Sequence, residues 1–146
     1  WFRTDGSPWS GGSLREGEML VAALEIEAGE SLPDALVVDL LPAGLEIENL
    51  NLNLTDPAQW EGISIDGIPL NGRASAADLV HEEFRYDRYV AALHLESATP
   101  ARLFYLVRAV TPGSYAVPPP QVEDMYRPML RGIGRAVPAS ITVVPP

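Results

Sequence analysis

RLFYLVRAVT, residues 102–111, is the stretch on which the fold turns. Every position from Leu103 to Val107 is apolar, and successive side chains of a strand point to opposite faces. A strand that is apolar on both sides belongs in the middle of a sheet. Arg102–Thr111 is therefore predicted to be a strand and a central one.

Working outward, Tyr89–Leu95 is the next strongest strand candidate, and Ala139–Val144 closes the chain as a last strand. Upstream, Glu18–Glu27 places Leu20, Ala22, Leu24 and Ile26 on one side and Glu25 and Glu27 on the other, the period of a half-buried strand. Leu36–Leu41 reads as a further strand. Leu45 and Ile47 alternate with Glu46 and Glu48, and Asn49–Leu54 repeats Asn and Leu three times, so two extended segments flank a break near Asn49. Pro42 and Gly44 supply the turn before them. Ser75-Ala76-Ala77-Asp78 has the form of a capping box, followed by Leu79, Val80 and Phe84 at helical spacing, which predicts one short helix. Seven to nine strands, frequent turns and one small helix describe an all-β chain folded as a two-layer antiparallel sandwich.

Composition agrees. At 146 residues and 47 % hydrophobic content the chain is one domain, 1–146, long enough to bury ~68 % of its unfolded surface. Its 14 prolines and 12 glycines are spread among short apolar runs, as turns between strands require. It starts at Trp1 without an initiator Met or a leader, which predicts a fragment of a larger protein. The absence of cysteine excludes disulfides, thiolate nucleophiles and Cys-ligated zinc.

Charge is uneven. Residues 1–84 hold 3 Arg and 16 acids, net −13, whereas residues 85–146 hold 7 Arg and 4 acids, net +3. Lysine is missing, so all ten cations are Arg. An acidic chain of net charge −10 is repelled by nucleic acid and anionic membranes, which are bound through clustered cations.

Catalytic motifs are wanting. His81-Glu82-Glu83-Phe84-Arg85 begins like HExxH but ends in Arg85, and its residues enter a strand, so it is no metal site. His94 has no second His near it in sequence and reads as a structural histidine. Gly132-Ile133-Gly134 lacks the third glycine of a dinucleotide loop. Glu82 with Glu83, and Glu123 with Asp124, are adjacent carboxylates, but neighbours in an extended chain face opposite ways and do not converge on one substrate atom. Neither catalysis nor a metal or other cofactor is expected.

The segment from Tyr105 to Gly134, YLVRAVTPGSYAVPPPQVEDMYRPMLRGIG, is the specific one. Together with HEEFRYDRYVAALHL (His81–Leu95), and more faintly WFRTDGSPW and LREGEMLVAALEI, it resembles the C-terminal domain of bacterial alpha-2-macroglobulins, over nearly the whole chain. The resemblance implies a macroglobulin or immunoglobulin-like sandwich within a periplasmic protease trap, with or without an inner-membrane anchor at the N-terminus of the full-length protein. In trapping members a protease cuts a bait region and an internal Cys-Gln thioester then bonds the attacker. Until then the C-terminal domain packs over the thioester domain, where a Met-Tyr pair helps cover the bond. The matching residues here are Met125 and Tyr126. Residue type alone also allows both to lie in this domain's own core.

Pro118, Pro119 and Pro120 precede the pair and read as a stiff, extended support. Glu123, Asp124, Arg127 and Pro128 complete the loop, with Arg131, Gly134 and Arg135 beyond it; cations there suit a polar rim, and the two acids are candidate partners for them. The implied partners are the thioester domain of the same polypeptide and, through the full-length protein, target proteases. The vertebrate counterpart binds an endocytic receptor through lysines on its helix, whereas Ser75–Val80 here carries no cation, so that role does not transfer. In members that lack the thioester, Met125 and Tyr126 would serve as an interdomain contact alone. The rival reading is an immunoglobulin-like surface module that binds carbohydrate or a protein partner, and it predicts Trp1, Trp9 and Trp60 grouped in one exposed patch.

Overall fold

A computed structural model describes residues 1–48, 62–70, 74–75, 78–97 and 99–146. Its first sheet has the order β1 (Phe2–Arg3), β3 (Met19–Ile26), β11 (Ala101–Ala109), β5 (Leu45–Ile47), and β8 (Ala74–Ser75) also pairs with β11. The second has the order β14 (Arg131–Ile133), β13 (Gln121–Asp124), β4 (Leu32–Leu40), β10 (Arg88–Leu95), β9 (Asp78–Phe84). A smaller third sheet, β12 (Gly113–Ala116), β15 (Ser140–Val144), β2 (Ser13–Arg15), closes one side. A two-stranded hairpin, β6 (Ser64–Ile65) with β7 (Ile68–Pro69), stands apart from these. The pairs are antiparallel except β15 with β2, which run parallel.

The two large sheets face each other. Ala22, Leu24, Leu103, Tyr105 and Val107 of the first meet Ala35, Val37, Tyr89, Ala91 and Leu93 of the second in one core, joined by Leu14, Ile141 and Val143 of the third. Tyr105 stacks on Tyr89 across this core with ring centroids 4.6 Å apart and planes 15° apart. Phe84 tilts against Tyr89 at 5.7 Å.

The apolar run in β11 has a more specific cause than its central position. Its outer face, Phe104 and Leu106, forms a second buried cluster with Val21 and with Ile63, Ile65 and Leu70 of the β6–β7 hairpin. Both faces of β11 are thus covered, so a run with no polar position is what the site demands. Arg102, at the rim of this cluster, lies 5.2 Å over the Phe104 ring and pairs with Asp66 at 3.0 Å.

The short helix is corrected. Among the described residues there is no α-helix, and Asp78–Phe84, which contains the last residues of the supposed helix, is an edge strand paired with β10. The register explains the misleading spacing. Leu93 faces Leu79 while Ala92 faces His81, so Val80 is the extra residue of a bulge. That single insertion brings Leu79 and Phe84, five positions apart, to the same core-facing side, where a regular strand would put them on opposite faces. The Asn and Leu repeat, residues 76–77 and Trp60 lie outside the described residues.

Candidate interdomain contact site

The residues singled out by sequence lie on the β13–β14 hairpin and its approach. Pro118, Pro119 and Pro120 lie in the connection from β12 to β13, with Pro119 exposed, and Pro120 sits at the hairpin's base. Gln121 faces Ile133, Val122 faces Gly132 and Glu123 faces Arg131 across the ladder. The Gly134 amide donates to the Pro120 carbonyl at 2.7 Å, and the Asp124 amide to the Leu130 carbonyl at 2.9 Å. Within the loop the Leu130 amide donates to the Arg127 carbonyl at 2.8 Å. Pro128 follows Arg127 in that turn, where its fixed φ is well suited.

Asp124 organises the tip. It is only 1 % exposed, while its neighbour Glu123 points to solvent on the other face. Its Oδ1 accepts the amides of Tyr126 at 3.0 Å and Arg127 at 2.9 Å, and Oδ2 accepts Arg127 Nη2 at 3.1 Å. Burial alone would raise this carboxyl, but the two amides and the guanidinium outweigh it and hold the pKa below the ordinary value. The Met125 amide donates to the Asp34 carbonyl at 2.9 Å, which ties the tip to β4.

With the backbone so held, Met125 is 44 % and Tyr126 79 % exposed. Neither lies in the core of this domain. Met129 and Ile133, which the sequence reading passed over, are also exposed on the same hairpin. They add to an apolar surface interleaved with the exposed cations Arg127, Arg131 and Arg135. A groove of about 490 Å³ runs between this hairpin and the β3–β4 turn, lined by Glu27, Glu30, Leu32, Val122, Met129 and Arg131.

The remaining candidates sit elsewhere. His81 Nε2 lies 3.2 Å from Glu83 Oε1, and Arg85 Nε donates to Glu83 Oε2 at 2.7 Å, so alternate residues of β9 and the residue just after it form a polar row on the surface. Glu82, facing the other way, accepts the Tyr89 hydroxyl at 2.5 Å. His94 Nδ1 contacts the Pro33 carbonyl, where the β10–β4 register shifts. Among the described residues no group of three or more His, Asp or Glu could hold a metal ion. Trp9 is 5 % exposed and Trp1 is packed against the core, so the exposed three-tryptophan patch of the rival reading does not form.

Comparison with known proteins places the hairpin in context. The profile of the bacterial alpha-2-macroglobulin MG10 domain matches residues 1–128. The chain belongs to this family. An MG10 domain is a macroglobulin module and not an enzyme. An alpha-2-macroglobulin of Xylella fastidiosa is 59 % identical over all 146 residues, which are 9 % of its length. That of Escherichia coli is 48 % identical over 134 residues, 91 % of this chain and 8 % of that protein. The crystal structure of native E. coli alpha-2-macroglobulin from domain MG7 to the C-terminus superposes with a TM-score of 0.86 at 46 % identity, covering 99 % of this chain and 22 % of that one. Salmonella alpha-2-macroglobulin reacted with methylamine gives 0.80 at 44 % identity, covering 99 % of this MG10 domain and 9 % of that chain. The chain therefore spans about a tenth of the length of its curated relatives.

Proposed function

We propose that this MG10 domain is the non-catalytic C-terminal module of a periplasmic protease-trapping alpha-2-macroglobulin, and that its β13–β14 hairpin packs on the thioester domain of the same polypeptide. The observation that carries the reading is an apolar pair, Met125 and Tyr126, turned to solvent by a backbone fastened through buried Asp124. Exposing two such side chains on a fixed loop is unfavourable unless another surface covers them.

The chemistry fits a lid. A thioester survives only while water and amines are kept from its acyl carbon. Met supplies an adaptable apolar plug, and Tyr a broad hydrophobic face whose hydroxyl can remain at a wet rim. Arg127, Arg131 and Arg135 provide the polar border of such a contact. The reaction of the Salmonella relative with methylamine, a small amine nucleophile, is in keeping with an electrophile elsewhere in that protein. Target proteases would be met only through the full-length molecule, and no endocytic receptor is expected.

The test is the M125A/Y126A double variant in the full-length parent protein. Methylamine-reactive thioester should be lost faster on standing than in the wild type. In a parent without a thioester, limited proteolysis should instead release the MG10 domain more readily. Unchanged rates in both measurements would exclude the proposed contact.

A further inference from the structure

A second buried carboxylate, Asp39, lies in the seam between the two large sheets. It is 6 % exposed on the inner face of β4 and is opposite Tyr89 in the β4–β10 ladder. Among the described residues its carboxylate accepts one hydrogen bond, from the Tyr105 hydroxyl of the facing sheet at 2.5 Å. One bond leaves most of a carboxylate's acceptor capacity unused, and burying that charge unpaired is costly. Asp39 also lines a cleft of about 230 Å³ bordered by Trp1, Leu24, Pro118, Pro120 and Arg135. This space exceeds what one water requires, and its wall carries a cation. Val38, the preceding residue, pairs with Gln121, and Val117, Pro118 and Pro120 line the cleft, so its roof is the segment that leads into the β13–β14 hairpin.

We propose that Asp39 is a protonation switch in this seam: neutral, it leaves the Val117–Gln121 strap packed over the cleft; ionised, it keeps the Tyr105 hydroxyl as donor, draws water and the Arg135 guanidinium inward and loosens the strap. Among the described residues, the other titratable or charged groups facing the carboxylate or its cleft are Tyr89 of β10, Tyr105 of β11 and Arg135. Burial raises Tyr105 well above its ordinary range, so it stays a neutral donor. For Asp39, burial pushes the carboxyl up to about 6, with the Tyr105 hydrogen bond opposing. The inference stands on this chain alone and does not require the thioester-domain contact.

Hydrogen exchange tests it. After correction for intrinsic pH dependence, the amides of Val117, Gln121 and Val122 in the wild-type chain should lose about tenfold in protection between pH 4.5 and 7.5, within the ~100-fold that a two-unit shift permits. In Asp39→Asn the change should vanish. In Tyr105→Phe, which removes the bond favouring the ionised form, its midpoint should move to higher pH. A wild-type chain without the change, an Asn variant that retains it, or a Phe variant with an unmoved midpoint would each overturn the switch. Should the Asn variant not fold, the wild-type profile and the Phe midpoint decide.

Discussion

Gly134 lies so close to Pro120 that a Cβ added to it would fall 2.7 Å from the ring's Cγ and 3.2 Å from Cδ. No L side chain fits there without moving the ring, and the Gly134 amide to Pro120 carbonyl bond would move with it. The proline run and the end of β14 are thereby held in contact at the hairpin's base.

Gly134→Ala should cost about 1–3 kcal/mol, the usual range for overpacking. Urea denaturation measures it. Gly132→Ala is the control, since an added Cβ there meets Val122 at an ordinary 3.6 Å.

Asp124→Ala should expose the Tyr126 and Arg127 amides to rapid hydrogen exchange and lower the Tm by several degrees. Asp124→Asn keeps an oxygen for the two amides but loses the negative charge that pairs with Arg127, so it should fall between the wild type and the Ala variant. Because the folded-state pKa is depressed, the stabilisation is present above the ordinary carboxylate range and is lost as pH falls through the folded pKa. Melting the wild type and the Ala variant between pH 2 and 6 should show their difference shrinking toward the acid end.

Asp39→Asn should act oppositely with pH. Between its ordinary 3.8 and about 6 the folded protein binds more protons at this site than the unfolded chain, so stability is fully present below about pH 4 and is lost as pH rises through 6. Relative to the Asn variant, the wild type should lose up to ~3 kcal/mol across this window. Urea midpoints at pH 4 and 7.5 give the difference directly.

Phe104→Ala should cost about 3–5 kcal/mol, as for other fully buried aromatics. It should also free the β6–β7 hairpin, whose Ile63, Ile65 and Leu70 pack with that ring. Faster protease cleavage within residues 62–70, at a denaturant concentration too low to unfold the sandwich, would show the detachment.

The strands that proved legible are those with one wet face and one dry face, or two dry ones: Met19–Ile26, Arg88–Leu95 and Ala101–Ala109 differ little from their expected bounds. The failure at Val80 is instructive because a bulge changes period locally, and two apolar residues five apart then imitate a helical stripe. Asp124 was named as a partner for arginine, but its burial was not foreseeable, since aspartate is ordinarily exposed. Asp39 could have been noticed. It alternates with Ala35 and Val37 on the core face of β4, a polar residue at a position where the pattern calls for an apolar one. Met125 and Tyr126 came from a motif, because residue type alone cannot separate a buried pair from a presented one.

The Val80 bulge also bears on solubility. β9 borders the second sheet, and an incoming chain seeking to extend the ladder would find the spacing of donors and acceptors interrupted at Val80, close to the polar His81 and the charged Glu83 and Arg85 side chains. Such irregular, ionic margins deter intermolecular β-pairing. The kink that disguised the strand in the sequence thus guards one flank of the molecule against fibrillar growth.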